Sequence, residues 1–113
     1  MIRIHILRGS EKGRRLDFNK DIIYVGRSKD NDIQMNNLTV SRNHLKIMNK
    51  RGRYFIEDLN STNGTLLNNE RITKAGLSGK DVISIGKHTL FVSVLEGREA
   101  TQGISESTIK INP

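Results

Sequence analysis

Residues 45–58 read LKIMNKRGRYFIED, and the fold class follows from how this stretch divides. Leu45 and Ile47 on one side, and Phe55 and Ile56 on the other, flank a basic turn running from Asn49 to Arg53. Apolar positions on both sides of a short polar turn containing Gly form the pattern of a β-hairpin. The same two-residue alternation spreads outward from here. Upstream, Ile2, Ile4 and Ile6 share one face, Leu16 and Phe18 follow a Gly-containing turn, and Ile22 to Val25 is a short β-branched and aromatic run. Downstream, Val82, Ile83 and Ile85 turn through Gly86-Lys87 into Leu90, Phe91, Val92 and Val94. Turn signals separate almost every pair, at Glu11-Lys12-Gly13, Lys29 to Asp32, Asn60 to Gly64, Asn68-Asn69 and Leu77 to Asp81. No segment keeps a helical period over ten residues. The expectation is all-β, a sandwich or barrel of many short strands.

The chain has 113 residues, enough for one modest core, and residues 1–95 are expected to form that single body. Residues 96–113 are polar and end in an alternating Ser107 to Ile111. They read as a flexible tail or a linker to a further domain, or as an added edge strand. No run of 18 apolar residues occurs, and Met1 to Leu7 alternates like a strand instead of building the continuous apolar region of a signal peptide. With no Cys there is neither a disulfide framework nor a thiolate metal site, and a cytoplasmic location is expected.

The formal net charge is +7. Residues 1–95 hold 17 Lys and Arg against 9 Asp and Glu, whereas residues 96–113 hold 2 against 3. A basic body calls for an anionic partner without naming it. Aromatic residues make up 4% of the chain, too few for a base-stacking platform, and the cations are scattered. A basic nucleic-acid-binding β domain is therefore the alternative reading.

Three loop segments carry groups suited to phosphate. Gly26-Arg27 closes the Ile22–Val25 strand: the Gly permits a sharp turn, and the Arg offers a planar fork of donors. Ser41-Arg42-Asn43-His44 leads into the Leu45 strand with a hydroxyl and a second cation. Asp58-Leu59-Asn60-Ser61-Thr62-Asn63-Gly64-Thr65 packs hydroxyls, amides and a turn Gly between two strands, where backbone N–H groups can also point outward. In this order and spacing, joined by Asn31-Asp32-Ile33 and followed by Asn68 and Ile72, the segments resemble the forkhead-associated (FHA) domain family over residues 2–95. The resemblance implies an FHA-like β-sandwich of about eleven strands with its binding loops at one end. It implies phosphothreonine-dependent binding of a peptide or protein in signalling, without catalysis or cofactor. By family likeness Arg27 and Ser41 bind the phosphate, Arg42 and Thr62 support it, and Asn63 bonds the peptide main chain. Gly26, Gly64 and His44 are architectural, with His44 bracing the loops from within. Thr39 stands where some members carry a basic residue, so one phosphate contact is expected to be missing.

The remaining motifs weigh less. Asp32, Ser41 and His44 could be taken for a nucleophilic triad, yet Ser41 lacks the Gly-x-Ser-x-Gly elbow and His44 follows it by only three residues. His5, His44 and His88 are isolated in strands, so no metal site is expected. The tail supplies one more candidate ligand. Thr101 and Thr108 each precede an Ile by three places, Ile104 and Ile111, and members of the family often read the third residue after a phosphothreonine. Phosphorylated at either Thr, the tail is a candidate ligand for the loops of its own or a neighbouring chain.

Overall fold

A computed structural model describes residues 1–9 and 11–95, and all regular structure among them is β. Eleven strands follow one another: β1 (Ile2–Arg8), β2 (Arg15–Phe18), β3 (Ile22–Gly26), β4 (Ile33–Gln34), β5 (Leu45–Lys50), β6 (Arg53–Asp58), β7 (Thr65–Leu67), β8 (Glu70–Ile72), β9 (Lys74–Gly76), β10 (Lys80–Ile85) and β11 (His88–Val94). The hairpin expected at residues 45–58 is β5–β6, with Asn49 opposite Tyr54 and Lys50 opposite Arg53. The turn Arg51-Gly52 has positive φ at both residues, as a tight hairpin with right-handed strand twist requires. Asn68 and Asn69 do the same between β7 and β8.

The strands form two sheets, ordered β2-β1-β11-β10-β7-β8 and β4-β3-β5-β6-β9. Alternation decides which side chains meet between them. Ile2, Ile4, Ile6, Ile83, Ile85, Leu90 and Val92 face inward from the first sheet, and Ile23, Val25, Leu45, Ile47 and Ile56 from the second; all are buried. Burial of these aliphatics, about 1.5–3 kcal/mol each, drives the two sheets together. The short strands β4, β8 and β9 were not legible as strands. Each has only two or three residues and owes its assignment to a neighbour, β3, β7 and β6 respectively.

One end gathers the loops after β3, β4, β6 and β10. The other carries the basic β5–β6 turn, the β9–β10 turn and the end of β11, where the Leu95 N–H donates to the Met1 carbonyl. At that end a cleft of about 590 Å³ lies between Tyr54, Phe55, Leu77 and Val94. Asp81, expected in a turn, is a buried anchor that accepts from the Ser78 and Gly79 N–H groups and from the Asn68 amide.

His88 is 1% exposed, and neither ring nitrogen has a hydrogen-bond partner. Gly9 closes over the ring; a Cβ there would sit 2.2 Å from it. Burial pushes its pKa below the ordinary histidine range, against the opposing pull of the Ile85 backbone and the Glu11 carboxylate. The folded state thus takes up this proton later than the unfolded chain. Stability from this site is complete above about pH 6.5 and falls as pH drops through that value toward the lower folded pKa. Denaturant midpoints measured from pH 8 to pH 4 are expected to decline earlier in the wild type than in His88→Phe. Coincident profiles would remove His88 as the cause.

Candidate functional site

The site is built where three loops close on the end of β3. The Arg27 N–H donates to the Ser41 carbonyl at 2.9 Å, and the Ser28 N–H donates to the Arg42 carbonyl at 3.1 Å. These two bonds hold Gly26-Arg27 against Ser41-Arg42. The approach is close enough that a Cβ on Gly26 would lie 2.2 Å from the Arg42 carbonyl oxygen, so only Gly fits. Asn31 closes the same seam, its side-chain amide donating to the Arg42 carbonyl (2.7 Å) and the Ser28 carbonyl (2.9 Å). This accounts physically for Asn31 in the motif.

His44 is fully buried beneath the loops. Its Nδ1 accepts the Ser41 N–H at 3.1 Å, so the proton is on Nε2, which donates to the Gly64 carbonyl at 2.9 Å. One imidazole thereby ties the Ser41 loop to the Gly64 loop. Asp58 organises the second of these. Its carboxylate accepts from the Ser61 N–H, the Ser61 hydroxyl and the Thr65 hydroxyl, and Ser61 Oγ in turn accepts the Gly64 N–H. Desolvation would raise the Asp58 pKa, but these hydrogen bonds outweigh it and leave it lowered. Gly64 has φ +87°, a conformation suited to Gly, and the Arg71 guanidinium lies against it.

Two further bonds cross from loop to loop at the surface. The Thr62 N–H donates to Ser41 Oγ at 3.0 Å, which leaves the Ser41 hydroxyl hydrogen free to donate outward. The Asn63 amide donates to the Thr39 carbonyl at 2.9 Å, while its oxygen and second N–H have no partner among the described residues. Thr39 is itself held, since Asn37 Oδ1 accepts both its N–H and its hydroxyl, and Gly86 packs against it. Thr39 is thus a fixed part of the floor and carries no charge.

Arg27, Ser28, Asn36 and Arg42 line a cleft of about 340 Å³. Arg27 and Arg42 form no ion pair with any described residue, and Arg27 Nε is buried without a hydrogen-bond partner. Two guanidiniums share a concave site that offers them no carboxylate. Arg27, Ser41, Arg42, Thr62 and Asn63 are therefore neighbours, though Arg27 and Asn63 stand 36 positions apart in the chain. Sequence reasoning missed three participants. Ser28 and Asn36 line the cleft, and Leu38 stands 88% exposed beside Thr39, the most exposed large apolar residue described. Only their places in the motif-bearing loops could have pointed to them.

The arrangement does not assemble a nucleophile. His44 meets the Ser41 backbone and not its hydroxyl, and Asp32 is engaged by Lys20 and by the Tyr24 N–H. Among the described residues there is no group of three or more His, Cys, Asp or Glu able to hold a metal.

Comparison with known proteins converges on the same loops. The profile of the FHA domain family matches residues 23–86. The glycogen accumulation regulator GarA of Mycolicibacterium smegmatis is 34% identical over 85 residues, covering 75% of this chain and 54% of that protein. The chain thus spans about half the length of the curated relatives it matches. Among solved structures, an FHA domain from Arabidopsis thaliana superposes with a TM-score of 0.79 at 33% identity, covering 90% of each chain. An FHA domain studied for phosphothreonine-dependent interactions gives a TM-score of 0.76 at 31% identity, covering 83% of this chain and 96% of that one.

Proposed function

Since the chain belongs to the FHA domain family, we propose that it is a phosphothreonine-dependent peptide- and protein-binding module in which Arg27, Ser41 and Arg42 hold the phosphate. The observation that carries this reading is the Arg27–Arg42 cleft, which brings two guanidiniums together with no carboxylate to neutralise them. A phosphate dianion supplies that charge. Arg suits it better than Lys because its fixed fork can donate two bonds at once. The free Ser41 hydroxyl hydrogen adds a third donor, and Asn63 retains one N–H and its oxygen for the ligand main chain. Each charge-assisted bond contributes about 1.5–3 kcal/mol, so the phosphate is the main anchor, and contacts along the rest of the peptide must offset the cost of association. The module works by binding and performs no reaction of its own, in a cytoplasmic setting. No helix of the described residues is long and apolar enough to cross a membrane.

Titrating matched peptides that carry phosphothreonine, phosphoserine or unmodified threonine tests the reading. The expected order has phosphothreonine tightest and the unmodified peptide without measurable binding. Affinity should fall only shallowly with salt, because one phosphate is engaged and not the row of phosphates a nucleic acid would present. Equal binding of all three peptides, or a steep salt slope with preference for an oligonucleotide, would favour the nucleic-acid alternative.

Thr101 and Thr108 lie outside the described residues, but chain length bounds what each can reach. Leu95 is bonded to Met1 at the end of the body opposite the loops, and β11 spans seven residues between the two ends. Seven residues of strand cover about 23 Å. Thr101, six residues beyond Leu95, reaches at most about 21 Å, whereas Thr108 reaches about 45 Å. A phosphate on Thr108 reaches Arg27 and Ser41 of its own chain with slack to spare, whereas one on Thr101 reaches them only with the tail fully stretched, which favours the loops of a neighbour. Amide shifts at Ser41 and Asn63 that are independent of concentration for phospho-Thr108, with dimer mass for phospho-Thr101, are the results to look for. If neither form moves these amides, the tail is not a ligand.

A further inference from the structure

The outer face of the β2-β1-β11-β10-β7-β8 sheet has a charge pattern that the loop site does not use. Strand register places Arg71, Leu66, Ser84, Thr89 and Arg8 in one row across five strands, at the loop end. A second row holds Val82, Phe91, His5 and Arg15. A third holds Lys80, Ser93, Arg3 and Asp17. The one carboxylate in these rows is Asp17, and Arg3 takes both of its oxygens at 2.8 and 3.0 Å. Arg8, Arg15, Arg71 and Lys80 have no ion pair among the described residues. Between these cations, Leu66 is exposed and Phe91 and Val82 are half-buried. On the outer face of the other sheet Lys46 is paired with Glu57, and Lys50 and Arg53, unpaired among the described residues, sit at the end away from the loops.

The cationic face is continuous with the loop site. The Arg71 guanidinium, at the end of the first row, lies against Gly64, next in the chain to Asn63. With neighbouring strands about 4.8 Å apart, the three rows cover roughly 300–400 Å². A specific interface needs about 800 Å² from each partner, so this face is too small to hold a protein alone. It is well sized to extend the loop footprint. Half-exposed aliphatic and aromatic side chains between unpaired cations suit a protein segment that carries both carboxylates and apolar residues. A nucleic acid would find one half-buried Phe in place of a series of stacking rings.

We propose that this sheet face, from Arg71 to Arg15, docks an acidic, partly apolar segment of the same protein whose phosphothreonine occupies the loops. The proposal rests on the phosphothreonine reading and adds a second contact with the same partner. Two-point attachment raises affinity through effective concentration, and selects among phosphorylated proteins by the charge of sequence distant from the phosphate.

Four probes test it: a short phosphothreonine peptide; that peptide extended at either end by a Glu/Leu segment; the same extensions in Ser/Gly; and the Glu/Leu segment alone. One of the two Glu/Leu extensions is expected to bind about tenfold tighter than its Ser/Gly counterpart. In Arg8→Gln/Arg15→Gln that advantage should vanish, while affinity for the short peptide stays unchanged. The Glu/Leu segment alone should shift the Thr89 and Phe91 amides and leave Ser41 unmoved. If the short peptide shifts Ser41 and Asn63 but the Glu/Leu segment moves neither Thr89 nor Phe91, the docking face fails and the phosphothreonine reading stands. If the short peptide moves nothing, the shared-partner proposal falls together with that reading. Two further results overturn it: an acidic advantage that survives in the variant, and a thymidine oligonucleotide that shifts Thr89 and Phe91 and displaces the Glu/Leu segment.

Discussion

Arg27→Ala is expected to weaken phosphothreonine-peptide binding by about 2–4 kcal/mol, a loss of one and a half to three decades, with the fold intact. The magnitude follows from what the side chain would contribute: a charge-assisted fork on a dianion, in a cleft whose walls hold it in place. Arg27 Nε is already buried without a partner, so part of the cost of desolvating this cation is met before ligand arrives. The backbone at residue 27 is fixed independently of the side chain, through its N–H to the Ser41 carbonyl and its carbonyl to the Gln34 amide. Truncation therefore removes the anchor without releasing the loop. Calorimetric titration of one phosphothreonine peptide into both proteins, with urea midpoints for both, is the measurement. Unchanged affinity would move the phosphate away from Arg27. A large drop in the urea midpoint would make the residue structural.

His44→Leu should be costly in a different way, lowering stability and affinity together. Leu keeps the approximate volume but can neither accept the Ser41 N–H nor donate to the Gly64 carbonyl. Each backbone group left unpaired in a buried site costs about 1–3 kcal/mol, so a stability loss of roughly 2–5 kcal/mol is expected. Affinity falls because Ser41 and Gly64 lose their common tie, and the spacing between Ser41 and Asn63 depends on it. Urea denaturation reads the first effect, and phosphopeptide titration far below the transition reads the second. A variant of wild-type stability that still bound normally would show the imidazole to be a spectator. Arg27→Ala and His44→Leu thus separate an anchor from a brace, since only the second is expected to move the urea midpoint.

Much of the architecture is legible in the order of the residues. Period-two alternation in Ile2-Ile4-Ile6, Leu45-Ile47 and Leu90-Val92 assigned the β class and the inward residues, because successive side chains of a strand must point to opposite faces. Gly26-Arg27, Ser41 to His44 and Asp58 to Thr65 marked the loops, because Gly, hydroxyl and amide residues between strands satisfy backbone groups locally. The family assignment followed from their order, and the comparisons bear it out.

Other features existed only once the two sheets had closed. Strands β4, β8 and β9 carry too few residues for a periodic signal and form because longer neighbours offer them an edge. Asp81 looked like one more turn residue until the Ser78 and Gly79 N–H groups and the Asn68 amide converged on it. The resemblance could give His44 an architectural role, but not the two groups it joins, which lie 23 residues apart. The cationic sheet face is the clearest case, since Arg8, Arg15 and Arg71 are scattered charges in the chain. Strand register turns them into neighbours across one face, because hydrogen bonding between strands, and not sequence distance, decides which side chains stand side by side.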